Sequence, residues 1–366
     1  MNVSRNIFSK LRFLSRERSF NNNSINKYFD ISTSQLCEKF YMSPAIMTKF
    51  KVLIVNDTLP TVAVDILKPV CDVIICGEEK SAVLENIAGV DALLFASYDI
   101  RIDKNLLEKA GPNLKAVATM SAGYDNIDVE ELKRRGIKFG NTPGVVGSAV
   151  AEQAIMLALA ASRRLNEARS AIESSEWSYK FDARWLMGME ISGSVVGIVG
   201  LGSIGQNIVR KLGGFDVKQF LYTGRKPKPE GEKLKAQFVS LDQLTQESDF
   251  IFSCLPLTEH TRNIFDYDRF SKMKKTAVFV NVGRGGSVNQ PDLVKALREN
   301  SILAAGLDVM TPEPLDPNDD LLKLQNCVLA PHLGTSTWKT TEKMAELAAN
   351  NILKALKGEP MLTPVV

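Results

Sequence analysis

The sequence predicts an α/β chain of two successive parallel-sheet domains, and three observations predict it. Short apolar runs alternate with amphipathic segments from Lys51 onward, a glycine-rich strand-turn-helix-strand unit occupies Val195 to Lys226, and Asn141-Thr142-Pro143-Gly144 punctuates the chain between the two halves. Strands that alternate with helices assemble into parallel sheets covered on both faces. At 366 residues, 45% hydrophobic and 24% charged, the chain has the length and composition of two ordinary globular domains.

The glycine unit organises the rest. Val195-Val196-Gly197-Ile198-Val199 reads as a short buried strand, followed at once by Gly200-Leu201-Gly202-Ser203-Ile204-Gly205. In this pattern the first glycine permits a tight turn, the second lets backbone approach a pyrophosphate, and the third lets the helix pack closely on the strand. Amides at the helix start then face the phosphates. Ile204, Ile208 and Leu212 share one helix face, Gly213-Gly214 stops the helix, and Gln219 to Thr223 supplies the second strand. A dinucleotide site is therefore predicted here. NAD sites usually place an acid at the end of that second strand for the ribose 2′-hydroxyl, whereas NADP sites supply Arg or Lys for the 2′-phosphate. The chain reads Tyr222-Thr223-Gly224-Arg225-Lys226, with no carboxylate until Glu230, which predicts NADPH (NADP+) over NADH. The plainer reading of Arg225, Lys226 and Lys228 is a solvated basic loop.

Residues 1–46 differ in texture. They are rich in Asn, Ser and Arg, and the first 50 residues hold eight basic side chains against three acidic ones. Ile7, Phe8, Leu11 and Leu14 fall at helical spacing among the basic residues. Such a start resembles a mitochondrial transit segment, and the alternative is a disordered, untargeted extension on a cytoplasmic protein. The body is balanced, with 37 of the 45 basic and 39 of the 42 acidic residues, and so carries no electrostatic footprint for nucleic acid. No apolar run approaches the ~18 residues that span a bilayer, so no membrane partner is predicted. The five cysteines are scattered without CxxC pairs, which argues for a reducing compartment and against a metal or disulfide framework.

The first domain is expected over 47–148. Its strands are read at Lys51 to Val55, Val73 to Ile75, Ala92 to Phe95, Leu114 to Thr119 and Ile137 to Phe139, with helices over Asp103 to Ala110 and Asp128 to Arg135. The loop after the first strand, Asn56-Asp57-Thr58-Leu59-Pro60, has no glycine, so this domain is expected to bind no dinucleotide. After the Pro-Gly hinge a long helix from Ala149 to Arg164 opens the second domain, 149–332, whose later strands are read at Phe250 to Ser253, Ala277 to Val280, Ala304 to Val309 and Val328 to Ala330. Too few residues follow His332 for a further domain. Their helix, Thr340 to Leu356, is expected to complete the first domain within 333–366.

Ligands of open α/β sheets bind beyond the carboxyl ends of the strands, where this chain places Leu255-Pro256-Leu257-Thr258, Gly283-Arg284-Gly285-Gly286, Asp308 and Pro331-His332-Leu333-Gly334. Hydride exchange between a nicotinamide and a carbonyl needs a cation for the substrate carboxylate, an acid/base for the alcohol proton, and a group that orients the acid/base. Arg284 fits the first by its planar fork. His332 fits the second because imidazole titrates near neutrality, and Glu313, in Thr311-Pro312-Glu313-Pro314, fits the third. The only other histidine, His260, lies in a polar loop.

Together these residues carry a resemblance. From Lys51 onward the chain resembles the D-2-hydroxyacid dehydrogenases, and within them the glyoxylate/hydroxypyruvate reductases, through Ser121-Ala122-Gly123-Tyr124-Asp125, Val199 to Gly205, Leu221 to Arg225, Asn281-Val282-Gly283-Arg284-Gly285, Gly306-Leu307-Asp308-Val309, Pro312-Glu313-Pro314 and Pro331-His332-Leu333-Gly334. The resemblance implies two Rossmann-like domains around a cleft, a flavodoxin-like substrate domain and an NAD(P)-binding Rossmann domain. It implies Arg284, Glu313 and His332 as catalytic residues, with Ala122, Gly123, Arg284 and Gly334 around a small 2-oxo or 2-hydroxy acid. Its cofactor contacts fall on Gly200, Gly202, Ser203, Ile204, Gly205, Gly224, Arg225, Lys226, Pro256, Val282 and Asp308. It further implies reduction of glyoxylate to glycolate and of hydroxypyruvate to D-glycerate with NADPH, and a homodimer formed through the long helix. Two features depart from the pattern: Gly283 stands where the family often has Ser, and the loop Trp177 to Trp185 aligns poorly.

Other readings share the fold. A phosphoglycerate dehydrogenase would bring an added regulatory domain, and a formate dehydrogenase would have an amide in place of Glu313. A corepressor like the C-terminal binding proteins would sense NAD without this turnover.

Overall fold

The structure is a computed structural model that describes residues 49–97, 100–178 and 182–366. The expected extension, 1–46, lies outside the described residues, as do Tyr179 to Phe181 of the poorly aligned loop. Among the described residues no helix is long and apolar enough to cross a membrane.

Two wholly parallel sheets form the frame. The first joins β1 (Phe50–Val55), β2 (Cys71–Cys76), β3 (Ala92–Phe95), β4 (Ala116–Thr119) and β5 (Lys138–Gly140) in the order β2-β1-β3-β4-β5, the flavodoxin-like order. The second joins β6 (Val195–Val199), β7 (Gln219–Thr223), β8 (Ala236–Phe238), β9 (Phe250–Ser253), β10 (Val278–Asn281), β11 (Ala304–Leu307) and β12 (Cys327–Leu329) in the order β12-β11-β10-β9-β6-β7-β8. Strand order reverses at β6, between β7 and β9, which is the switch point of a dinucleotide-binding sheet. The predicted α/β class with two Rossmann-like folds is what the chain adopts.

Both faces of each sheet are buried, which explains why the strands read as continuous apolar runs rather than alternating ones. Val196, Ile198, Phe250, Phe252, Val278 and Val280 pack on one side of the second sheet, while Val199, Ile251, Phe279 and Leu307 pack on the other. Helices Gly147–Ser162 and Ser203–Leu212 cover the first of these sides. The long helix starts two residues before the expected Ala149 and stops at Ser162, where Arg164 turns the chain with a φ of 55° into helix Leu165–Glu173. Side-chain caps begin several helices: Asp103 accepts from Leu106 N–H, Asp128 from Glu131 N–H and Thr337 from Thr340 N–H.

The last helix, Trp338–Leu356, leaves the second sheet and lays Ala345, Ala348, Ala349 and Ile352 on the first, against Val52, Ile54, Leu94 and Ala118. The segment after it runs antiparallel beside β5, through Val365 N–H to Phe139 O at 2.7 Å and Phe139 N–H to Val366 O at 3.0 Å.

Candidate active site

The residues that follow the central strands are stitched into a row along the carboxyl edge of the second sheet. Cys254 N–H donates to Val199 O, Val282 N–H to Ser253 O, Asp308 N–H to Asn281 O and Ala330 N–H to Leu307 O, all at 2.9–3.1 Å. Each bond extends the ladder one step past the strand ends, so the Gly200 turn, the Pro256 loop, Val282, Arg284, Asp308 and His332 come to one crevice.

In the glycine unit the three glycines do different work. Gly200 takes a φ of 99°, open to glycine at little cost, and any side chain there would press on Cys254 O at 3.1 Å. A Cβ on Gly205 would fall 2.5 Å from Gly200 O, so helix Ser203–Leu212 could not sit this close to its strand with any other residue. A Cβ on Gly202 meets nothing within 4 Å, and no side chain caps the helix that Gly202 begins. An open space at the start of an uncapped ten-residue helix fits a pyrophosphate. Ser203 and Ile204 flank it, with Ser203 exposed. Gly224, Arg225 and Lys226 follow β7 and are exposed. Lys228 is placed differently from a free loop cation, because its Nζ donates to Leu201 O of the glycine turn at 3.0 Å while its N–H donates to the Tyr222 hydroxyl at 2.9 Å.

His332 and Glu313 meet, with Nδ1 of the imidazole 2.8 Å from Glu313 Oε2. The other oxygen, Oε1, accepts from Met310 N–H at 2.8 Å, so the carboxylate is fixed from two sides. Burial pushes the Glu313 carboxyl up, but the hydrogen bond from His332, the Met310 amide and the charges of His332 and Arg284 outweigh it and hold the group below the ordinary carboxylate range. His332 itself occupies the left-handed region, φ 54°, an uncommon backbone state for a residue with a side chain. Its N–H donates to Asp308 O at 2.9 Å, and the Asp308 carboxylate accepts from Leu333 N–H and Gly334 N–H, both at 2.9 Å. Gln153 of the long helix donates to the same carboxylate at 3.0 Å. Asp308, expected as a cofactor contact, is 2% exposed, and its carboxylate shapes the His332 turn. An apolar cavity of about 530 Å³ backs the pair, with Met310, Leu315, Leu322 and Leu329 in its wall.

Arg284 reaches across to the first sheet. Its Nε donates to Asp125 Oδ2 at 2.6 Å and its Nη1 to Gly283 O at 2.8 Å. The guanidinium lies directly over Gly123, beside Ala122. Asp125 ends the motif Ser121-Ala122-Gly123-Tyr124-Asp125, and nothing local to it signals a partner 159 positions away. The departure at Gly283 also has a physical counterpart, since a Cβ there would fall 2.5 Å from Leu255 O and 2.8 Å from Leu255 N. The Pro256 loop thus sits too close for a side chain on residue 283.

The D-isomer specific 2-hydroxyacid dehydrogenase NAD-binding domain family matches residues 155–334. A glyoxylate reductase/hydroxypyruvate reductase of Mus musculus is 49% identical over 278 residues, covering 76% of this chain and 84% of the mouse protein. Among solved structures, a glyoxylate reductase from Paecilomyes thermophila superposes with a TM-score of 0.78 at 30% identity, over 87% of this chain and 99% of that one. An NADPH-dependent glyoxylate/hydroxypyruvate reductase of Sinorhizobium meliloti, in complex with NADP and malonate, superposes with a TM-score of 0.76 at 29% identity, over 87% and 97%. The extent of these matches over both sheets, together with the crevice just described, makes the chain a member of the D-isomer specific 2-hydroxyacid dehydrogenase family.

Proposed function

We propose that the chain is a glyoxylate/hydroxypyruvate reductase that uses NADPH, forming glycolate and D-glycerate, and that its domains divide as 47–148 with 333–366 for substrate and 149–332 for cofactor. The observation that carries the proposal is the 2.8 Å contact of His332 Nδ1 with Glu313, beside an arginine that spans the two sheets.

In this reading Arg284 takes the carboxylate of the 2-oxo acid with the free edge of its fork, and the backbone at Ala122-Gly123 takes the other side, with Gly334 next to the acid/base. Glu313 holds Nδ1 and so directs Nε2 of the ring at the substrate, where His332 donates a proton to the carbonyl oxygen during reduction and accepts it in reverse. A bound nicotinamide dinucleotide supplies the hydride. Gly200, Gly202, Ser203, Ile204 and Gly205 would hold its pyrophosphate, Gly224, Arg225 and Lys226 its 2′-phosphate, and Pro256, Val282 and Asp308 the remainder of the edge.

A homodimer belongs to the same proposal. What supports it is an apolar groove of about 630 Å³ on the long helix, where Ile155, Met156 and Leu159 meet Leu165 and Phe215. Steady-state assays of glyoxylate and hydroxypyruvate with NADPH and with NADH test the function. Turnover of either acid with NADPH preferred is the expected result; cofactor binding without turnover of either acid would overturn it.

A further inference from the structure

We propose that Asn141 is a positioning residue for the carboxylate cradle and that the segment Thr363–Val366 fixes it in place. The proposal rests on the reading of Ala122-Gly123 and Arg284 as the carboxylate site.

The cradle's carbonyl groups are all held from behind. Thr142 N–H donates to Ser121 O at 2.9 Å, Asn141 Nδ2 donates to Ala122 O at 2.8 Å, and Ser121 Oγ donates to Gly123 O at 2.6 Å. A trans peptide is planar, with its C=O and N–H on opposite sides. Holding Ala122 O therefore sets the direction of the Gly123 N–H, and Gly123 lies under the Arg284 guanidinium. Asn141 is the only side chain that the Ala122 carbonyl meets among these bonds, so it aims a backbone donor at the same anion that Arg284 would take.

Asn141 is itself clamped by residues far along the chain. Its carbonyl accepts from Thr363 Oγ1 at 2.6 Å and from Asn351 Nδ2 at 3.2 Å, and its N–H donates to Thr363 O at 3.3 Å. Asn351 also bonds Thr363 twice, donating to Oγ1 at 2.8 Å and accepting from its N–H at 3.1 Å. Asn351 is fully buried and Asn141 is 7% exposed. A buried polar network with every member engaged holds one geometry, because any rearrangement leaves a donor or acceptor without a partner. Val365 and Val366 extend the clamp along β5.

The test compares Asn141→Asp, which keeps the size but removes the donor, with Thr363→Val, which removes only the hydroxyl far from the crevice, and with Thr363→Ser, which restores it. The readouts are KM and kcat for hydroxypyruvate, the Kd of oxamate on the enzyme-NADPH complex by nucleotide fluorescence, and the Kd of NADPH alone. Loss of one hydrogen bond to the cradle predicts about a tenfold rise in KM and in the oxamate Kd for Asn141→Asp, a smaller rise for Thr363→Val, and near wild-type values for Thr363→Ser. The NADPH Kd stays the same. Folded variants that keep both KM and the oxamate Kd, or that lose NADPH affinity in parallel, overturn the positioning role. If Asn141→Asp does not fold, Thr363→Val and its serine rescue decide. A wild-type protein that neither turns over hydroxypyruvate nor binds oxamate overturns instead the carboxylate reading beneath it.

Discussion

Arg284 occupies the space that any side chain on residue 123 would need: a Cβ built on Gly123 falls 1.3 Å from Nη2 of the guanidinium. The two residues come from different sheets, so their contact sets both the distance across the cleft and the aim of the cation. Gly123→Ala must displace the guanidinium, and misplacing a positioned group by about 1 Å costs on the order of a hundredfold in rate. We expect kcat/KM for hydroxypyruvate to fall by that order while NADPH affinity is kept. A near wild-type kcat/KM would show that Arg284 does not act from this position.

His332→Ala removes the proton donor and leaves the glycine unit untouched. Turnover should fall by about 10²–10⁴, while NADPH still quenches or enhances fluorescence at wild-type concentrations. Single-turnover traces distinguish loss of chemistry from loss of binding, and unchanged traces would remove His332 from its role.

Arg225→Asp places a carboxylate where a 2′-phosphate would lie and supplies an acceptor for a ribose hydroxyl. The ratio of kcat/KM for NADPH to that for NADH should drop by at least about tenfold, the scale of one charge-assisted contact. Equal losses for both cofactors would refute the phosphate assignment.

Glu313 gives a prediction in pH. Its carboxyl titrates below the ordinary 4.5 in the folded protein, so the stability that its charge contributes is fully present above the unfolded value and is lost as pH falls through the folded value. The Tm gap between wild type and Glu313→Gln should therefore be open near pH 6 and close as the pH is taken below about 4. A gap that is constant with pH would mean that the carboxylate charge is not what holds His332.

Much of this architecture was legible in the sequence, for physical reasons that particular residues display. His332, Arg284 and Glu313 could be found because a parallel sheet presents its strand ends on one edge, and short apolar runs mark those ends. The Pro-Gly punctuation at Asn141-Thr142-Pro143-Gly144 places the start of the long helix near Ala149. The structure starts it at Gly147, where a Cβ would fall 2.3 Å from Ser203 Oγ; close approach of two helices, not local propensity, decides that residue. The bonds of the Asp308 carboxylate to Gln153 and two backbone amides leave no mark in its motif, because Gln153 lies 155 positions away. Asp125 and Asn141 went unassigned because their partners lie across the cleft or at the far end of the chain, and spacing within a motif carries no trace of such contacts.

The helix Trp338–Leu356 closes the first sheet only after the chain has passed through every strand of the second. As the polypeptide emerges from the ribosome, the apolar surface of Val52, Ile54, Leu94 and Ala118 is covered only in part, by Ala63 and Leu67, until Ala345 to Ile352 arrive. The nucleotide-binding half can consolidate first, whereas the earlier-made half must wait with sticky surface exposed, which makes it the part of the newborn protein most dependent on protection from aggregation.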